Sequence, residues 1–288
     1  MDTSDPGEQG ASLSPSRAAD FKACPLRYRF RMVDRLPEPP SKEAVRGTLV
    51  HAVLESLFDL PALQRTLDAA RAGVGPAWEA LLETEPEAAA LFAGAEAGEQ
   101  DAWLASAENL LKSYFALEDP RRIEPASREE YVSHTLPGGL VLRGIIDRLD
   151  QAPDGALRVV DYKTGRAPSE LWEAKALFQL KFYALVLWRT RGVVPSVLQL
   201  LYLADQQRLT YSPDEAELLS FERQLTALWR AVEQATRTGD FRANKGPLCR
   251  FCAHQQLCPE FGGTPPPYPG TTVNQAAVIA AAPGGGGT

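Results

Sequence analysis

The sequence predicts an α/β fold, a central mixed sheet flanked by helices, from three observations. β-rich runs at 140–149 and 156–160 are joined by a turn signal, a helical stretch at 169–191 follows them, and a strand, strand, helix order comes after that. Taken in order, Met1 to Ser12 reads as a disordered leader. Ser14-Pro15-Ser16 then opens a helix with serine as N-cap and proline in the first turn, running to about Cys24. Pro37 to Pro40 breaks the chain. Lys42 to Leu60 follows with Val45, Leu49, Val53, Leu54, Leu57 and Phe58 at helical spacing, and His51 lies inside it. The alanine- and glutamate-rich stretch 61–125 predicts an inserted helical lobe of two or three helices, with loops near Gly73–Pro76 and Gly94–Gly98. Strands are expected from about Glu129 to Val160, with Gln151-Ala152-Pro153-Asp154-Gly155 as a hairpin turn. Strands at 196–203 and 209–211 and a helix at 214–238 follow. From Thr264 proline, glycine and small residues predominate, and 268–288 reads as a disordered tail.

The formal charge of −7 is local. The segment 61–125 holds twelve acids and five bases, so the remainder is balanced. Between Arg17 and Arg35 six bases, Arg17, Lys22, Arg27, Arg29, Arg31 and Arg35, face only Asp20 and Asp34, with Phe21, Tyr28 and Phe30 between them. That pattern suits a phosphate-binding face or a solvated helix face, and Arg17 and Arg27 are the DNA-contact candidates it supplies. The polar N-terminus has no secretory pattern and no apolar stretch is long enough to span a bilayer, so a cytoplasmic protein is expected.

The most informative stretch is Asp161-Tyr162-Lys163-Thr164-Gly165. It ends the run Ala156-Leu157-Arg158-Val159-Val160, and strand alternation puts the Asp161 and Lys163 side chains on one face. Asp147, in Asp147-Arg148-Leu149-Asp150, would lie on the neighbouring strand. Two carboxylates for a hard divalent cation and one ammonium for the nucleophile or the charged transition state are what magnesium-assisted hydrolysis needs. Gln179 and Tyr183 share a face of the following helix, where they read either as ordinary structural helix residues or as a glutamine that orients DNA or a metal-bound water and a tyrosine that stacks or bonds a phosphate.

Gly144-Ile145-Ile146-Asp147-Arg148-Leu149-Asp150, Asp161-Tyr162-Lys163-Thr164-Gly165 and Gln179-Leu180-Lys181-Phe182-Tyr183-Ala184 resemble the RecB-type branch of the PD-(D/E)XK nucleases in wording and order. Gly47-Thr48-Leu49-Val50-His51 looks like that family's upstream histidine segment. The resemblance covers about Leu13 to Pro267 and implies a restriction-endonuclease-like sheet. It also implies Mg²⁺ or Mn²⁺ held by Asp147, Asp161, His51 and the Tyr162 carbonyl, with Lys163 on the attacking water or the developing charge. An acid on the preceding strand is expected as well: Glu129 or Glu130, of which Glu129 is favoured. The implied activity is DNA hydrolysis, as a single-strand exonuclease in repair or recombination. A catalytically silent DNA-binding or scaffold subunit is the alternative. No Gly-x-x-x-x-Gly-Lys-Ser/Thr motif occurs, so any helicase would be a separate partner.

All four cysteines enter one further pattern: Cys249-x-x-Cys252, Cys258, and Cys24 far upstream. In a reducing compartment they read as metal ligands or core residues, and spacing does not choose zinc, with His254 as an extra ligand, over another metal. One cysteine in Cys24-Pro25-Leu26-Arg27-Tyr28 and three near the C-terminus, within 242–262, resemble the iron-sulfur staple of AddB-type and CRISPR adaptation nucleases. That resemblance implies a 4Fe-4S cluster, with Arg250 beside it on DNA.

Overall fold

The computed structural model describes residues 12–167 and 173–269, with side chains described for 12–167 and 177–269. The expected leader up to residue 11, the helix start at Ser169 and the tail beyond 269 lie outside the described residues. The chain forms two compact units. The first takes the described residues of Met1–Pro39, Ser133–Gly144 and Ala216–Thr288, and the second takes those of Pro40–Val132 and Ile145–Glu215.

In the second unit, helix α3 (Lys42–Leu57) begins where the Ser41 hydroxyl accepts the Ala44 N–H at 3.1 Å. It ends before the expected Leu60 because the chain tightens into three-residue turns, with the Phe58 N–H on Glu55 O and the Asp59 N–H on Ser56 O. Helices α4 (Leu67–Ala72), α5 (Val74–Thr84) and α6 (Glu99–Leu117) make up the expected lobe. The loop expected at Gly73–Pro76 shrinks to Gly73 alone, which ends α4 and begins α5. Pro76 falls in the first turn of α5, where a missing N–H breaks no helical bond. Trp78, Phe92 and Trp103 pack edge to face, with centroids 5.1–6.1 Å apart, and anchor the lobe core.

Strand β2 (Pro125–Thr135) starts four residues before the expected Glu129, and β3 (Val141–Gln151) pairs with it. β3 is antiparallel to β4 (Leu157–Lys163), with Arg148 opposite Val160 across a turn at 152–156. β4 is parallel to β5 (Val197–Tyr202), which is antiparallel to β6 (Gln207–Tyr211), so the sheet is mixed as expected. A parallel pair needs a crossover, supplied by helix α7 (Glu173–Arg191), which packs on β4 and β5. Strand alternation divides the site from the core. Val160 and Tyr162 enter the apolar cluster with α3 and the lobe, while Asp161 and Lys163 point to the α7 side.

The first unit holds β1 (Ser12–Leu13), paired in parallel with Val141 and Leu142 of β3. Ser12, expected in a disordered leader, is therefore buried in the sheet. Helix α1 (Pro15–Ala23) is capped by Ser14, and α2 (Pro25–Tyr28) runs into a π-helical turn at Arg29–Val33. Helix α8 (Glu215–Thr238) buries Leu218, Leu225 and Val232. The basic run is largely consumed inside the unit. Arg29 pairs with Asp34 at 3.0 Å, Arg27 and Arg31 both pair with Asp20, and Arg31 also reaches Glu38. Arg17, expected to face DNA, is buried, its guanidinium donating to Ser12 Oγ at 3.2 Å, because burial of the sheet edge needs that donor satisfied. Tyr268, expected in the disordered tail, is packed: its hydroxyl donates to Thr236 O at 2.5 Å and its ring lies 5.2 Å from the Arg29 guanidinium. Among the described residues, no helix is long and apolar enough to cross a membrane.

Candidate active site

The second unit brings together the residues that the sequence singles out. His51 from α3, Glu129 from β2 and Asp147 from β3 offer ligand atoms that all lie within 4.8 Å of one another. The His51 ring spans two partners, with Nε2 3.0 Å from the Tyr162 carbonyl and Nδ1 3.4 Å from Asp147 Oδ2. Asp147 Oδ2 accepts the Tyr162 N–H at 2.8 Å, so the Tyr162 peptide frames both residues. Glu129 takes its place through a left-handed backbone, φ +43°, which is unfavourable for a residue with a Cβ and tends to occur at functional sites. Its neighbour Glu130 is engaged elsewhere, by Arg191 and by the Ser127 hydroxyl.

Beside this trio stands a second array on β4 and α7. Asp161, 1% exposed, receives the Gln179 amide on Oδ1 at 2.8 Å and Lys163 Nζ on Oδ2 at 2.6 Å. Lys163 also donates to Gln179 Oε1 at 2.9 Å, and the Gln179 amide reaches the Tyr183 hydroxyl at 3.1 Å. Asp161, expected beside Asp147 and His51 as a ligand, makes both of these contacts through its carboxylate. It stands outside the set within 4.8 Å, and Glu129 is in it.

The electrostatics are those of crowded acids. Burial, then repulsion from Glu55 and Asp161, pushes the Glu129 carboxyl up to about 7. Burial and the Asp161 charge hold Asp147 well above the usual carboxylate range, against the pull of the Tyr162 N–H and Lys163. Burial lowers His51, leaving a neutral imidazole able to give a lone pair. Glu55, one helical turn beyond His51, was missed in the sequence; its i, i+4 spacing from the histidine is the signal that points to it. Arg148 carries no signal in the sequence beyond its place in Asp147-Arg148-Leu149-Asp150. It is fully buried and donates to the Tyr162 hydroxyl at 2.7 Å, with Glu118 at 2.8 Å and Asp150 at 3.1 Å.

In the first unit all four cysteines are half-buried thiols. The Asn244 N–H lies 3.4 Å from Cys24 Sγ and the Gly246 N–H lies 3.3 Å from Cys249 Sγ. Burial raises the Cys258 thiol, and Cys24, Cys249 and Cys252 add to the rise. The Cys24 and C-terminal segments are tied by the Leu26 N–H on Arg242 O and by Asn244 on Ala23 O at 2.9 Å. His254 is buried, with Nε2 3.0 Å from Glu38 Oε1. Gly263 closes the turn after Cys258, and a Cβ there would sit 2.1 Å from Gln256 O and 2.7 Å from Cys258 N. Gly263→Ala is therefore expected to cost roughly 1–3 kcal/mol. A thermal melt checks this, and a transition unchanged from wild type would refute it.

The family model for the PD-(D/E)XK nuclease superfamily matches residues 12–259. The Gene 69 protein of Mycobacterium phage D29 is 27% identical over 270 residues, covering 86% of this chain and 96% of its own. The Gene 69 protein of Mycobacterium phage L5 is 32% identical over 126 residues, covering 43% and 41%. A crystal structure from Eubacterium rectale, of a protein provisionally described as an exonuclease, superposes with a TM-score of 0.52 at 12% identity over 85% of this chain and 88% of its own. With the family match running over most of its length and the fold shared, the chain belongs to the PD-(D/E)XK nuclease superfamily.

Proposed function

We propose that this nuclease is a divalent-metal-dependent exonuclease of the RecB-type branch that degrades single-stranded DNA from an end. The observation that carries the reading is the convergence of His51, Glu129 and Asp147 ligand atoms beside the Asp161, Lys163 and Gln179 array. The donor set fits Mg²⁺ or Mn²⁺: two carboxylates and a neutral imidazole, with burial and then neighbouring acids raising both carboxyls, a rise that a cation would oppose. A bound divalent ion would acidify water and neutralise charge on the scissile phosphate. Lys163, one-third exposed, is placed to share that charge at the phosphate, while Gln179 fixes both Lys163 and Asp161. Tyr183 steadies the Gln179 amide. The 4Fe-4S reading is part of the proposal. It is supported by three other cysteines acting on the Cys258 thiol and by two backbone N–H groups directed at the sulfurs of Cys24 and Cys249. The finer expectations, a cytoplasmic repair or recombination role and a separate helicase, rest on the family resemblance.

The test is anaerobic purification followed by metal analysis and degradation of end-labelled linear and circular DNA. Wild type is expected to carry iron and sulfide and to shorten linear single strands in Mg²⁺ or Mn²⁺, with Asp161→Asn and Lys163→Ala slower by on the order of 10²–10³-fold. A folded wild type inert with both ions would return the reading to a silent DNA-binding subunit. Cleavage of circular strands would replace the exonuclease mode, and colourless protein with zinc would replace the cluster.

A further inference from the structure

The segment between Phe241 and Phe261 carries three bases, Arg242, Lys245 and Arg250, against one acid, Glu260, in a chain that is acidic overall. Within it Phe251 is 70% exposed and Phe261 is 45% exposed. Each ring has its own cation: the Arg250 guanidinium lies 4.5 Å from the Phe251 centroid, and Lys245 Nζ lies 5.2 Å from that of Phe261. The backbone is a succession of short 3-10 turns, Pro247–Phe251, Gln255–Leu257 and Pro259–Phe261, that also carry Cys249 at 3 residues into the first and Cys258 just before the last. Both rings therefore sit on the same short turns as Cys249 and Cys258.

An exposed ring with a cation beside it offers a base a stacking face and a phosphate a counter-charge. A duplex hides its base faces and offers nothing for an isolated ring to stack on, whereas an unpaired strand offers base and phosphate together. We propose that Phe251 and Phe261, with Arg250 and Lys245 beside them, form a stacking surface for the unpaired bases of single-stranded nucleic acid. The proposal rests on the nuclease reading for the identity of that strand, but binding is measured without cleavage.

The experiment is fluorescence anisotropy of labelled oligo-dT with the full chain in buffer free of divalent ions, beside a duplex of matched length. The double variant Phe251→Ala, Phe261→Ala is expected to bind oligo-dT weaker by roughly tenfold or more for each ring that stacks, with duplex binding unmoved. Restoring aromatic faces in Phe251→Trp, Phe261→Trp should restore affinity, which a merely structural role would not do. Replacing Lys245 and Arg250 by glutamine should flatten the salt dependence by about one log-log unit per lost phosphate contact. Wild-type affinity in the alanine variant overturns the proposal and leaves the rings to a protein partner. Weak binding that tryptophan fails to rescue also overturns it. Binding that needs the rings in a chain that cleaves nothing sinks the nuclease reading and leaves this surface standing.

Discussion

Asp147→Asn is expected to lower metal-dependent DNA hydrolysis by on the order of 10²–10³-fold and, in the same protein, to raise the melting temperature measured without metal. Both effects come from one side chain. Asparagine keeps an oxygen for the Tyr162 N–H now on Asp147 Oδ2 at 2.8 Å, so the frame of the site survives. What is lost is a negative charge held among Asp161 and Glu129 in a buried place. The sign follows from linkage. Asp147 and Glu129 have raised folded-state pKa values, so they bind more protons folded than unfolded, and their contribution is most favourable at low pH and is lost as pH rises. For Glu129 that window runs from its ordinary 4.5 to about 7. The melting temperatures of metal-free wild type and Asp147→Asn should accordingly separate above neutral pH and converge in acid, and divalent ions should raise wild type alone. A separation on the order of 1 kcal/mol corresponds to ~2–4 °C for a chain of this class. A variant that melts below wild type at high pH would show that the carboxylate is not strained by its neighbours.

Much of this arrangement is legible in the sequence because strand periodicity is rigid. Once 156–163 is a strand, Asp161 and Lys163 must share a face, and α7 as the crossover must carry Gln179 over it. Glu129 is harder, since alternation alone makes Glu129 and Glu130 equivalent choices. The left-handed φ at Glu129, and the Arg191 and Ser127 partners that take Glu130, exist only in the folded chain. Arg17 shows the opposite failure. A basic run looks like a phosphate face, yet a two-residue strand too short to signal itself buries the guanidinium against Ser12. Tyr268 is the same case at the other end, a tyrosine in a proline-rich segment whose ring finds Arg29 and Phe241. Charge patterns report what a side chain carries, and burial decides what it can meet.

Arg148→Met carries the largest expected stability effect, a loss of about 3–5 kcal/mol, seen as a melting temperature lower by on the order of 10 °C. The guanidinium is fully buried between Glu118 and Asp150, with the Tyr162 hydroxyl at 2.7 Å and Tyr114 at 3.4 Å. Removing it strands charge unevenly. Asp150 keeps Arg158 at 2.7 Å, but Glu118, the more buried of the two, keeps only Arg158 at 3.7 Å. Neutralising the stranded group in Arg148→Met, Glu118→Gln should therefore recover part of the loss, a coupling that independent sites would not show. Lysine should rescue poorly, because one ammonium cannot reach two carboxylates and a phenol at once. The same change reaches the active site through Tyr162, whose side chain Arg148 holds while its peptide N–H and carbonyl meet Asp147 and His51. Below its lowered melting point the variant should need more Mg²⁺ or Mn²⁺ for half-maximal cleavage than wild type does. An unchanged metal requirement in a destabilised protein would confine Arg148 to the core and detach it from the metal ligands.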